Sequence, residues 1–192
     1  AYNTGTDTEY TTGLFEVFGN VLRNHVLWPV PGNHEFGASD SAAQTGPYYE
    51  AFTLPTIGEA GGMASGTEAY YSFDFANLHF AALDSHDTPR TAPFNPETNI
   101  CPGGGEGGTM YNWLCADLGA TNQDWVFTFW HHPPYSFGSH NSDSSAEYRM
   151  TQMRTNFVPL LEDYGVDLVL TGHSHDYERS KLIDGHYGKS NT

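Results

Sequence analysis

Val166-Asp167-Leu168-Val169-Leu170-Thr171-Gly172-His173-Ser174-His175 is a short apolar run that opens directly into a loop bearing two imidazoles. The same arrangement occurs twice more. Val26-Leu27-Trp28-Pro29-Val30 leads into Gly32-Asn33-His34-Glu35, and the run from Trp125 to Trp130 leads into His131-His132-Pro133-Pro134-Tyr135. Bounded runs of this length, rich in β-branched and aromatic residues, have the pattern of buried strands. In open α/β sheets ligands gather outside the carboxyl ends of the strands, so loops far apart in sequence can meet at one point. His173 and His175 can both face a metal from a single turn. Imidazoles together with the neutral oxygen of Asn33 make a mixed nitrogen and oxygen donor set suited to a divalent first-row ion. One HxH would say little; three such loops in series specify a metal site.

The segments GNHE at 32–35, HHPPYS at 131–136 and GHSHDYERS at 172–180 are joined by YYSFDFANLHFAALDS at 70–85 and WLCADL at 113–118. In these segments, which span nearly the whole chain, the protein resembles the calcineurin-like metallophosphoesterases, and within them the purple acid phosphatase group. The resemblance implies an α/β fold, a four-layer sandwich of two mixed β-sheets flanked by α-helices. It implies hydrolysis of phosphate monoesters by a metal-bound hydroxide at a binuclear site, with no phosphoenzyme. Asn33, His131 and His173 are the implied ligands of one ion, and His175 with Tyr2 those of the other. His131 is preferred to His132 because the family ligand stands two residues before the proline of that loop. A tyrosine ligand favours iron(III), with zinc, manganese or iron as the second ion. His34 is implied to contact the substrate phosphate or donate a proton, with Glu35 orienting it, and His140 to protonate the leaving alkoxide.

Members of the family place two further blocks upstream, an Asp-bearing strand end and a Gly-Asp-x-x-Tyr loop whose Asp bridges the metals. Tyr2, from its distance before GNHE, corresponds to the last residue of the second block, so both aspartates are expected to precede Ala1. The chain is accordingly expected to be one domain over 1–192, truncated at both ends. Two rivals follow. Ester choice rests with loops such as 36–68 and 85–108, so a phosphodiesterase or nucleotide hydrolase would share the platform. A structural or binding domain with an incomplete metal site is the non-enzymatic alternative.

The length of 192 residues allows one substantial core, and a content of 38% hydrophobic and 15% aromatic residues argues against disorder. The formal charge of −16 repels polyanions, which disfavours nucleic acid and anionic membrane surfaces as partners. A small phosphate ester would need local positive charge, and bound metal ions supply it. No apolar run approaches the roughly 20 residues of a membrane span. Cys101 and Cys115 are the two cysteines and flank Pro102 and a glycine-rich stretch. A disulfide between them, expected in preference to two free thiols, would contribute roughly 3 kcal/mol and place the chain in an oxidising, extracellular or periplasmic compartment. The sequence is silent on oligomeric state. No Ser-containing elbow or partnered Cys suggests a covalent nucleophile.

Thr6-Asp7-Thr8-Glu9 reads as a capping box, and Leu14, Phe18, Val21 and Leu22 recur at helical spacing, predicting an amphipathic helix over 7–23. Residues 36–68 read as a long surface excursion with a short helix near Tyr48 to Phe52. Residues 69–75 and 78–84 predict a hairpin turning at Ala76-Asn77. Met110, Leu114 and Leu118 mark a helix. The face Met150, Met153, Phe157, Leu160, Tyr164 marks another, expected to break near Asn156 with Pro159 in the first turn of a short second helix, because proline cannot sit in a helix interior. His25, His79, His86, His132 and His186 are read as packing or surface residues, Asp84 as a strand-end residue, and Glu178 with Arg179 as an ion pair or loop hydrogen bonds.

Overall fold

The computed structural model describes residues 2–92 and 108–189. Its centre is a mixed sheet with the strand order β1 (Tyr71–Phe75), β2 (Leu78–Ala82), β3 (Trp125–Phe129), β4 (Leu168–Leu170). β1 and β2 form the predicted hairpin, antiparallel with Phe73 opposite Phe80, and Ala76 takes the positive φ of 54° that the tight turn requires. β3 and β4 then add in parallel to β2. The three parallel strands therefore end on the same side of the molecule. The expected α/β class holds; of the two sheets of the expected sandwich, the described residues form this one.

Strand alternation builds a separate core on each face of the sheet. Tyr70, Ala81 and Leu83 join Met110, Leu114 and Leu118 of α4 (Thr109–Ala120) and Phe157, Leu160 and Leu161 near α6 (Val158–Asp163). Tyr71, Phe73 and Ala82 face the other way, against Tyr10 of α1 (Asp7–Tyr10) and Tyr48 of α3 (Pro47–Ala51). Trp28, Phe73 and Phe80 stack in succession at centroid distances of 4.2 and 4.8 Å. Cys115 lies in the first core and is disulfide-bonded; its expected partner Cys101 lies outside the described residues.

Three expectations are corrected. The capping box at Thr6 and Glu9 forms, but a π-helical turn at Thr11–Phe15 separates α1 from α2 (Glu16–Leu22). A π turn shifts the phase of everything after it, so Leu14 still reaches the core while Phe18 and Val21 are about half exposed. Val26 to Val30 is no ladder strand among the described residues. Pro29 has no N–H to give a ladder, and its carbonyl instead accepts from the hydroxyls of Tyr48 and Tyr71 at 3.2 and 2.6 Å. In place of the break expected near Asn156, a π turn at Met153–Phe157 lies between α5 (Tyr148–Gln152) and α6, and α6 receives Pro159 in its first turn as expected.

His79 is a packing residue of an unusual kind. It is buried, with Nδ1 donating to Asp74 Oδ1 at 2.8 Å and Nε2 to Asp117 Oδ2 at 2.9 Å. The other Asp117 oxygen accepts from Ser72 Oγ and from the Met63 N–H, so this carboxylate joins strand, helix α4 and the 36–68 excursion. Burial works against charging the ring, but the hydrogen bonds and charge of Asp117, then of Asp74, outweigh it and raise its pKa above the ordinary value. The stabilisation is therefore complete below about pH 6.5, the unfolded value, and is lost as pH rises through the raised folded value. In urea melts the advantage of the native protein over His79→Gln should shrink as pH climbs above about 6.5, and Asp117→Ala should cost about 3 kcal/mol at neutral pH. A pH-independent difference would refute the charged clamp.

Candidate metal centre

The ends of β3 and β4 run directly into the loops that carry His131 and His173. Beyond β3 the ladder continues, the Trp130 N–H donating to Leu170 O at 3.1 Å and the Gly172 N–H to His131 O at 3.0 Å. Leu83 N–H, just past β2, donates to Phe129 O at 3.0 Å. Sheet geometry thus reaches the site itself. His173 and His175 both take positive φ, 68° and 56°, a conformation costly for residues with a Cβ and characteristic of functional loops.

Asn33, His131 and His173 are brought together. Asn33 Oδ1 lies 2.6 Å from His131 Nε2 and 3.2 Å from His173 Nδ1, and the two nitrogens are 3.0 Å apart. Burial lowers the pKa of His131 to about 3, with help from the nearby His173, His86, His34 and His175. Burial, then His140, lowers that of His173. Both rings are neutral near pH 7 and offer lone pairs, as metal ligation demands. Ligand atoms bound at right angles and about 2.1 Å from one ion lie about 3 Å apart. The triangle has those edges, so the donors fit a metal ion.

His131 is held at this point by the lack of side chains around it. A Cβ added to Gly32 would stand 2.8 Å from its Nδ1 and 2.9 Å from its Cε1. The Gly32 N–H donates to Glu35 Oε2 at 2.6 Å, and Glu35 is buried. Glu35 is therefore not the orienting partner of His34. Its carboxylate accepts from Gly32 and from the Tyr10 hydroxyl at 3.2 Å, while His34 Nδ1 donates to the backbone carbonyl of Asn3 at 2.6 Å.

The remaining predicted residues are placed less closely. The Tyr2 ring packs edge-on against Tyr10 with centroids 5.0 Å apart, and its pKa is raised by burial and then by Glu35. His175 is exposed and outside the groups of donor atoms that gather within 4.8 Å of one another among the described residues. His140 stacks on His173 with centroids 3.9 Å apart. His132 is buried and bonded to Ser85, its Nδ1 2.9 Å from the Ser85 Oγ that also accepts its backbone N–H. Asp84 is a buried strand-end residue that caps the N–H groups of His86, Asp87 and Thr88. Glu178 makes a loop hydrogen bond, accepting from the Phe137 N–H at 2.8 Å. His25 and His186 pair with backbone carbonyls at the surface.

A cavity of about 300 Å³ opens beside the triangle, lined by Asn33, His173, His140, Glu147, His86 and Arg149 among others. His86 stacks on Phe36 at 4.5 Å, and burial followed by the Arg149 charge lowers its pKa to about 4. Arg149 Nε donates to the His86 carbonyl at 3.1 Å, fixing a cation at the cavity. Glu147 and Arg149 escaped sequence reading. They lie on a polar turn and the start of a short helix with no spacing signature, and matter through contacts with residues 26 and 63 positions away.

A family model described as Calcineurin-like phosphoesterase matches residues 2–177, and the chain belongs to that family. Among curated relatives, Purple acid phosphatase 23 of Arabidopsis thaliana is 32% identical over 80% of the chain and 29% of its own length. Purple acid phosphatase 15 of the same plant is 29% identical over 85% of the chain and 27% of its own length. Purple acid phosphatase 1 of Ipomoea batatas is 31% identical over 82% of the chain and 29% of its own length. The chain thus spans less than a third of each of these relatives. Among the described residues no helix is long and apolar enough to cross a membrane.

Gly32→Ala should push the His131 ring out of the triangle and weaken Zn(II) binding at least tenfold in calorimetric titration of the metal-free protein. Gly19→Ala, on an open helix surface with nothing within 4 Å of the added carbon, is the control and should leave binding unchanged.

Proposed function

We propose that this chain carries the catalytic centre of a metal-dependent phosphomonoesterase of purple acid phosphatase type. The observation that carries the reading is the triangle of Asn33 Oδ1, His131 Nε2 and His173 Nδ1, with edges of 2.6, 3.0 and 3.2 Å. These three residues would hold one ion, and His175 with Tyr2 would contribute to a second. The ions, iron(III) with zinc, manganese or iron in this reading, acidify water and offset phosphate charge when bound.

The chain's own residues supply the rest. Arg149 adds positive charge to the cavity wall, useful in a chain of formal charge −16. His34, with Nδ1 committed to the Asn3 carbonyl, keeps Nε2 for a phosphoryl oxygen. His140, with Nδ1 committed to Glu147, keeps Nε2 for the leaving oxygen. The phosphorus–oxygen bond to the alcohol breaks as His140 hands its proton to that oxygen and water adds opposite, with no phosphoenzyme. The substrate in this reading is a small phosphate ester rather than a nucleic acid or membrane. The disulfide at Cys115 supports an extracellular or periplasmic setting.

The complete protein should hydrolyse a phosphate monoester faster than a diester and contain about two metal ions per chain by elemental analysis. A diester preference would move the assignment to a phosphodiesterase, and absence of metal with absence of turnover would leave a binding domain. His173→Ala and Asn33→Ala should each reduce turnover by at least about a hundredfold with loss of metal, whereas His132→Ala should lower thermal stability while metal content persists. Equal effects of His173→Ala and His132→Ala on metal content would overturn the ligand assignment.

A further inference from the structure

Glu147 ends a short 3-10 turn (Ser145–Glu147), capped by the Ser144 hydroxyl, that delivers its carboxylate to two imidazoles at once. His140 Nδ1 donates to Oε1 at 2.6 Å, and His173 Nε2 donates to Oε2 at the longer distance of 3.4 Å. The two rings stack at 3.9 Å between centroids, so one carboxylate fixes a pair. A carboxylate only accepts, so each ring must present N–H to it. For His173 that choice has a consequence. Hydrogen on Nε2 leaves the lone pair of the neutral ring on Nδ1, the atom that faces Asn33 Oδ1 and His131 Nε2.

We infer that Glu147 is a positioning residue shared by the metal centre and the proton donor: it sets the His173 tautomer and aims His140 from the same carboxylate. This rests on the reading of Asn33, His131 and His173 as metal ligands and of His140 as the group facing the leaving oxygen. Ligating histidines in metal sites regularly give their other N–H to a carboxylate, which fixes ring orientation and raises ligand basicity. Here the same carboxylate also reaches outward to the cavity. The second loop is tied down independently. Ser174, between the two histidines of the GHSH loop, shares a hydrogen bond with Ser136 Oγ and donates to the His140 carbonyl at 3.1 Å. Loop 136–142 and the GHSH loop are therefore tied together by hydrogen bonds, with Glu147 joining their side chains.

Three measurements on the full chain test this. In the metal-free protein, imidazole ¹⁵N shifts should report Nε2-protonated His173 in the native form and a tautomer mixture in Glu147→Ala; an unchanged tautomer would overturn the proposal whether or not the protein binds metal. Zn(II) titrated alone should bind Glu147→Ala about 10–100-fold more weakly, with Glu147→Gln between the two. Loss of a whole ion from the stoichiometry would instead make Glu147 a ligand and overturn the positioning role. Finally, turnover of an alkyl phosphate, whose leaving oxygen needs a proton, should fall at least tenfold more than that of a nitrophenyl phosphate, which needs it least; equal falls would remove the link to His140. If native protein neither binds Zn(II) nor turns over either ester, the functional reading fails while the tautomer measurement still decides the role of Glu147.

Discussion

The Gly172 N–H to His131 carbonyl hydrogen bond is the constraint on which the site depends. It is the last rung of the β3–β4 ladder, and the residues it joins carry one imidazole and precede the other. A single bond of this kind is worth only about 1 kcal/mol net. Its value here lies in register. With Trp130 N–H on Leu170 O one step earlier, it brings the two loops out of the sheet side by side, so the nitrogens of His131 and His173 reach 3.0 Å without a long loop to position. Functional groups placed on regular elements are held more tightly than groups on free loops. Asn33 arrives from a segment that is not a ladder strand, and it needs other anchors: Pro29 O on two tyrosine hydroxyls and Gly32 N–H on Glu35.

That division explains what could be read from sequence. The strands at Trp125 and Leu168, the hairpin at Ala76-Asn77, the capping box at Thr6 and the first-turn proline at 159 are local signals, and local chemistry decided them. The α/β class and the meeting of His131 with His173 followed because the strand-to-loop transitions of β3 and β4 share one polarity. Outcomes set by tertiary competition were not legible. Phe18 and Val21 keep helical spacing, yet a π turn upstream rotates them from the core. Val26 to Val30 has strand composition, yet its segment finds tyrosine hydroxyls instead of a neighbouring strand. Glu147 has no pattern around it, because its importance comes from reaching His173 across 26 residues.

Charge distribution is the other thread. Acidic residues outnumber basic ones by 23 to 7, yet the donors at the triangle are neutral, two imidazoles and an amide. Neutral donors leave most of a bound cation's charge uncompensated, which is what an anionic phosphate ester needs in an acidic protein. Glu147 meets His173 and His140 on the cavity side, while Glu35 and Asp84 are engaged elsewhere. Glu35 is occupied by the Gly32 N–H and the Tyr10 hydroxyl, and Asp84 by three backbone N–H groups. Bonded in this way, they cost little to bury and do not collapse onto the imidazoles as salt bridges that would consume their lone pairs.

Histidine shows most directly how environment assigns a role in this protein. His79 sits between two carboxylates, gains charge and clamps strand to helix. His131 is partly buried and has imidazoles as its neighbours, so burial and repulsion act together and it stays neutral with a free lone pair. His173 lies between the extremes, one nitrogen toward the triangle and the other toward Glu147, and a neutral ring with a carboxylate on one side has only one nitrogen left to give. His140 faces the same carboxylate from the open side of the cavity, where its second nitrogen meets solvent or substrate instead of a neighbouring ligand. The sequence writes all four with one letter. The number of carboxylate oxygens each ring reaches, two for His79, one each for His173 and His140 and none for His131, separates the first from the last, and what the second nitrogen faces separates His173 from His140.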